Sequence, residues 1–380
     1  MSGVDGALGD DAAARGARPA VDRRARRRLL LLALFALAAL VAGVGAFTVG
    51  AYPIPAGQVL GALVRAIAPW GAEALSLGDA EAAQRDLVLL EIRAPRILFG
   101  LLVGAALAVS GAAMQALFRN PLADPGLVGV STGAALGAVA MIVFAGALTP
   151  TFGALAGAAV PAAAFLGAAV VTVLIFLIGV RGGGGVDVAL MLLAGVAINA
   201  IAGAGVGAMT YLADDQALRS LTFWTMGSLA VSGWDALGIT FAMIAPAALW
   251  LMLQGGALNR YLLGEAEAGH LGVDVRRLKT GVILAVALSV GAAVAVAGAI
   301  GFVGLVTPHL VRMMGGPDNR FVLPGAALLG AALTVTADAF ARGVAAPAEI
   351  PVGLVLSAVG GPFFLWFLMS RRAGGAAWRN

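Results

Sequence analysis

This sequence predicts an all-α, polytopic membrane protein with about ten transmembrane helices and both termini on the cytoplasmic side. Three observations carry that expectation. Hydrophobic residues make up 61% of the 380 residues and charged residues only 12%, about half the charged share of a soluble domain. The charges fall between apolar runs, many of which match the roughly 20 residues needed to cross a bilayer. The basic residues are also unevenly divided between the two sides, which sets the orientation.

Taken in order, the spans are expected at about 29–51, 96–117, 126–147, 154–180, 188–212, 236–254, 280–299, 302–314, 321–341 and 351–370. Residues 1–28, rich in Ala, Gly, Asp and Arg, read as a disordered basic cytoplasmic arm. The stretch 29–51 exceeds the apolar core of a signal peptide, so it is expected to stay as the first helix. The charge-free run 125–180 is long enough for two helices and divides at Leu148-Thr-Pro-Thr-Phe-Gly153. The run 280–311 is broken by Gly298, Gly301 and Gly304, leaving a short eighth helix whose full crossing stays open. The transmembrane body thus spans 29–372, and 373–380 form a cytoplasmic tail. Ten crossings from an inner N-terminus place 18 basic residues inside and 6 outside, together the 24 in the chain. Small residues at Gly100/Gly104, Gly133/Gly137, Gly153/Gly157 and Gly203/Gly207 suit close helix packing.

Several chemistries are excluded by what is missing. There is no cysteine, and His270 and His309 are the only histidines, so no thiolate metal site exists. The single lysine, Lys279, stands between Leu278 and Thr280, which rules out a Gly-Lys-Ser/Thr phosphate loop. The carboxylates lie outside the spans or near their ends, with Asp338 the nearest to an exception. Ion-driven transporters commonly place such groups at membrane depth, so a secondary transporter is the less favoured alternative. No catalytic constellation appears. The net charge is +4, but the basic residues follow topology and form no single patch for nucleic acid.

Three segments stand above this background. One runs from Arg93-Ala-Pro-Arg96 through Gly104-Ala-Ala-Leu-Ala-Val-Ser-Gly111 and Met114-Gln115 to Arg119-Asn-Pro-Leu-Ala-Asp-Pro-Gly126 and Gly129-Val-Ser-Thr-Gly133. Another is Gly298-Ala-Ile-Gly-Phe-Val-Gly-Leu-Val-Thr-Pro-His309 with Arg312. The last joins Ala337-Asp338 through Arg342 to Glu349-Ile-Pro-Val-Gly353. From the residues alone, Asp124 suits an N-cap with Pro125 at the first helical position, and Asn120-Pro121 suits a turn. The loop 255–279 is long for a connection in a bundle, and its Glu, Ala and Leu favour short helices bent at Gly264, Gly269 and Gly272.

Together these segments resemble the FecCD family, permeases of ABC importers for ferric siderophores, haem and cobalamin. That resemblance implies a permease homodimer, two ATPase subunits that bind ATP and Mg, and a periplasmic substrate-binding protein, all at the bacterial inner membrane. It implies that Arg93, Arg96 and Arg342 dock acidic residues of the binding protein; solvated surface arginine is the plainer alternative. Asn120 and Leu122 fall at the family's cytoplasmic gate, although a plain turn also fits. Leu263, Gly264, Glu265, Ala266, Glu267, Gly269, His270 and Leu271 resemble helices that fit an ATPase groove, against an ordinary connecting loop. Trp224, Met226 and Ser228 fall near the pathway; Gln115 and Asn199 join them as lining residues or interhelical hydrogen bonders. His309 belongs to a family-wide Pro-His pair and is no haem ligand, and no metal site is expected. The corner around Asn120 to Gly126 is most similar to haem permeases, so haem is the expected substrate, with a siderophore or cobalamin as alternatives.

Overall fold

The computed structural model describes residues 10–52, 54–67, 80–144, 156–180, 185–230 and 233–373. Its helices are α1 (Asp10–Ala46), α2 (Ala56–Ile67), α3 (Ala80–Leu87), α4 (Ala94–Leu117), α5 (Val130–Val143), α6 (Ala156–Gly179), α7 (Val188–Leu212) and α8 (Asp215–Met226). There follow α9 (Trp234–Leu253), α10 (Gly255–Tyr261), α11 (Glu265–His270), α12 (Val275–Ala297), α13 (Val303–Gly315), α14 (Asn319–Val344) and α15 (Val352–Ala373). Seven helical stretches are long and apolar enough to cross a membrane, and Val130–Val143 and Val352–Trp366 are shorter apolar helices. The described residues are almost entirely helical, with a lone β-bridge between Val180 and Val186.

Helix α4 is the centre of the bundle. Most of its side chains from Ala94 to Leu117 are buried, and it packs on α9, α12, α13 and α14. Two glycines make the closest of these contacts. A Cβ on Gly104 would strike the Gly330 backbone of α14, and one on Gly111 would strike Gly304 of α13. Dispersion across such close backbones must hold a bundle whose outer surface is as apolar as its surroundings. Gly133 and Gly137 approach α6 in the same way, at Gly167 and Ala163. Gly203 and Gly207 differ, since nothing lies within 4 Å of a Cβ added there. The expected contact at Gly153 lies outside the described residues.

Several boundaries depart from the sequence expectation for visible reasons. The first helix begins at Asp10, inside the stretch expected to be a disordered arm. The expected helix 126–147 begins later: Asp124 caps a 3₁₀ turn, Pro125–Val128, and Gly129 at φ 80° must turn left-handed before α5 can start. The glycine-rich break ahead of α13 is real, with Gly298 at φ 69° and Phe302 at φ 67°. At 13 residues, α13 spans only about 20 Å, short of the hydrocarbon thickness. The amphipathic α8 was not foreseen; Asp214 caps it and Gly227, at φ 71°, ends it.

Candidate functional site

The functional candidates gather at the two ends of α4, separated by its 24 residues, about 36 Å. At its first turn stand Arg93 and Arg96, with Asp338 and Arg342 one turn apart on α14. These side chains were expected on the surface. Instead Arg93, Arg96, Arg342 and Asp338 are only 5%, 8%, 5% and 2% exposed. Arg96 lays its fork on Asp338, with Nη2 2.9 Å from Oδ1, and turns Nη1 to Glu349 at 2.8 Å. Arg342 donates Nε to Asp338 at 3.0 Å.

The remaining donors go to carbonyls at the end of α1 and in the segment that follows it. Arg342 reaches the carbonyls of Val49 at 2.7 Å and Ala46 at 3.1 Å, and Arg93 donates to those of Phe47 and Tyr52. The last carbonyls of a helix lack partners and carry partial negative charge. They offset the surplus of three guanidinium groups over two carboxylates. The three arginines expected to dock a binding protein have their donors engaged within the chain, and of this cluster only Glu349 is substantially open, its side chain 46% exposed. Asp338 and Glu349 were visible in the motifs, yet nothing in the spacing tied them to an arginine some 240 positions earlier.

The other end of α4 is a tight corner. Arg119 has φ 49°, a left-handed backbone in a non-glycine residue. Asn120 Oδ1 accepts from the amide of Leu122 at 2.9 Å, which makes a side-chain-closed turn, and Leu122 is 47% exposed. Asp124 Oδ1 accepts from the Gly126 amide at 2.8 Å; burial raises its pKa above the usual carboxylate value, partly offset by that hydrogen bond. Asn199 donates to the Gly126 carbonyl at 3.2 Å. Gln115 bridges to α13, accepting from Arg312 at 2.6 Å and donating to the Gly304 carbonyl at 3.3 Å. A cavity of about 360 Å³ opens here, bordered by Gln115, Arg119, Asn120, His309 and Arg312.

Against this corner lies the loop expected at 255–279, which folds into α10 and α11. Glu265, Ala266, Glu267, Gly269 and His270 form α11 and all are exposed, with Gly264 at φ 138° setting the bend before it. Leu263 and Leu271 flank α11 at 67% and 50% exposure, while Ala268 points inward. Glu265 pairs with the buried Lys279 at 2.6 Å.

The proposed pathway residues do not share one cavity. Trp224 and Ser228 line a cavity of about 760 Å³ with Phe223, Asp214 and Gln216, and Trp224 Nε1 is buried there without a hydrogen-bond partner. Met226 ends α8 near Gly353. Gln115 and Asn199 belong to the corner and act as interhelical hydrogen bonders. Among the described residues no cluster of metal-ligating side chains occurs.

A family model described as the FecCD transport family matches residues 28–370. The chain belongs to the FecCD transport family. It is 50% identical over 285 residues to the hemin transport system permease protein HmuU of Yersinia pestis, covering 75% of this chain and 84% of that relative. It is 42% identical over 295 residues to the vitamin B12 import system permease protein BtuC of Vibrio cholerae, covering 78% and 86%. A solved structure described as an inward-facing conformation of a candidate metal-chelate type ABC transporter superposes with a TM-score of 0.75. It shares 29% identity and covers 89% of this chain and 98% of its own.

Proposed function

We propose that this FecCD-family chain is the permease subunit of a binding-protein-dependent ABC importer in the bacterial inner membrane, and that haem is the substrate. The observation that carries the substrate is the 50% identity to a hemin permease. The 42% identity to a vitamin B12 permease favours cobalamin as the second reading, with a ferric siderophore beside it.

The geometry suits this division of labour. The seven long spans, the two shorter apolar helices and α13 together make ten, with both termini cytoplasmic and the α4 corner on the same side. The α11 segment, flanked by Leu263 and Leu271, is the surface offered to a separate ATPase subunit, which binds ATP and Mg. Two permease chains pair through faces such as α7, where Gly203 and Gly207 leave room for a close partner. The binding protein docks at the opposite, arginine end, where Arg93, Arg96 and Arg342 hold the platform and the edge beside Glu349 is within a partner's reach. Nucleotide-driven movement of α10 and α11 opens or closes the corner at Asn120 and Leu122. Substrate passes between the two permeases, beside Trp224 and Ser228.

Uptake by vesicles containing this chain, an ATPase subunit and a haem-loaded binding protein tests the proposal. ATP-dependent haem uptake is expected, with none from an ion gradient alone. Uptake of cobalamin in place of haem overturns the substrate, and gradient-driven uptake without the ATPase overturns the class.

A further inference from the structure

Tyr261 is the last residue of α10 and is 2% exposed. Three segments of the chain converge on it. Arg119, at the end of α4, donates Nη2 to the Tyr261 carbonyl at 2.7 Å. The same guanidinium lies 4.6 Å from the centre of the Tyr261 ring, within cation–π range. From α12, the Lys279 ammonium stands 5.8 Å from that ring centre. The Tyr261 hydroxyl donates to Glu265 Oε1 of α11 at 3.3 Å. Lys279 in turn holds Glu265 at 2.6 Å and donates to the Val186 carbonyl ahead of α7 at 2.8 Å.

The Arg119 attachment is the informative one. Its backbone occupies the left-handed region that side chains with a Cβ avoid, at φ 49°, directly before Asn120 and Leu122. An unfavoured backbone persists when its surroundings over-determine it. Here a main-chain hydrogen bond and a ring face grip one side chain, and both belong to Tyr261. The grip of α10 on Arg119 therefore adds to the corner's own hydrogen bonds in holding its shape. Two arrangements that differ in this grip form the kind of two-state element through which separated regions are coupled.

We propose that Tyr261 is the positioning residue that couples the 255–279 loop, of which it is part, to the 119–122 corner, through its ring and carbonyl on Arg119. Release of Arg119 lets its backbone relax and carries Asn120 and Leu122 with it. The transport consequence rests on the importer proposal above; the mechanical link does not.

Because the chain has no cysteine, Leu122→Cys and Ala266→Cys can carry a spin-label pair on the full-length protein in nanodiscs. A single narrow distance distribution is expected for the otherwise unchanged chain and for Tyr261→Phe, which keeps the ring. Tyr261→Leu and Arg119→Gln are each expected to broaden or split it. Arg119 is exposed, so its variant also covers the case in which Tyr261→Leu fails to fold. In vesicles with the ATPase and binding protein, the two loss variants should consume roughly tenfold more ATP per substrate imported, with Tyr261→Phe near the parent. A narrow, unshifted distribution in Arg119→Gln, or lowered thermal stability in Tyr261→Leu with unchanged distances, overturns the proposal and leaves Tyr261 a core residue. Absence of ATP-driven uptake by the parent defeats the importer reading, while the distance measurement still decides the link.

Discussion

The two ends of α4 are built on opposite principles. At the arginine end, three guanidinium groups, two carboxylates and carbonyls from Ala46 to Tyr52 form a compact network, with Glu349 its open member. At the corner end, the chain turns through a left-handed Arg119 and a side-chain-closed Asn120 turn, with Leu122 largely open. A buried ionic network resists partial change, because removing one member strands the others in low dielectric. A corner closed by an exposed turn and several part-buried hydrogen bonds shifts at less cost. The difference teaches where motion would belong under the proposed function: the arginine end resists change, and the corner is the part built to yield.

Removal of the hub of the rigid end has the largest expected effect. Asp338→Ala leaves Arg96 with Glu349 alone and Arg342 with backbone carbonyls alone, and should cost about 3–5 kcal/mol. Thermal unfolding in detergent checks this; a loss no larger than that of an exposed substitution such as Arg276→Ala would contradict the rigid-platform view. Gln115→Leu stands between the two ends in effect. It removes the acceptor that holds Arg312 at 2.6 Å and a donor to the α13 carbonyls, for an expected loss of about 1–3 kcal/mol. The same unfolding assay reads it.

Much of the bundle could be read from charge spacing, because a membrane span must be free of charge for a fixed length. The expected 188–212 coincides with Val188–Leu212, and 302–314 lies one residue from Val303–Gly315. Helices α2, α3 and α8 went unforeseen, since they are short and amphipathic and leave no long apolar run. At the candidate sites the result divides by range. Local chemistry was readable: the Asp124 cap, the Asn120 turn and the short helices of the loop all follow from neighbours in sequence. Long-range pairing was not. The sequence displays Arg96 as a cation on a helix end but not its partner Asp338, so the buried network could not be foreseen. Tyr261 gives no signal in the sequence for the same reason, because Arg119 reaches it across 142 positions.

A smaller effect is expected at the one open member of the rigid end. Glu349→Gln removes an exposed partner of Arg96 while Asp338 keeps hold of the same side chain. Stability should change by less than about 1 kcal/mol. Docking of a binding protein should change more clearly, with an altered association rate whose difference from the parent shrinks as salt is raised. Surface-based docking kinetics at low and high ionic strength measure this. Identical rates at low salt would remove the Glu349 edge from the docking surface.

The smallest expected effect sharpens the comparison from the corner end. Asp318 accepts from Arg28 at 2.6 Å, from Asn259 at 2.6 Å and from the Arg320 amide at 3.0 Å, and so ties the start of α14 to α1 and α10. Burial acts to raise its pKa, but the Asn259 and Arg320 hydrogen bonds and the nearby Arg28 charge outweigh it, so the net value lies below the ordinary one. A carboxylate whose folded pKa is depressed contributes stability above its unfolded pKa, near 4, and loses that contribution as pH falls through the folded value. The link should therefore be intact at neutral pH and fade only below about pH 4. Thermal unfolding followed from pH 6 to pH 3 should show a shallower acid decline in Asp318→Asn than in the parent, with the parent the more stable of the two at pH 6. Being partly exposed, the group should contribute only a small part of the total decline. Parallel curves for the two proteins would mean that Asp318 holds α10 no more firmly than water does.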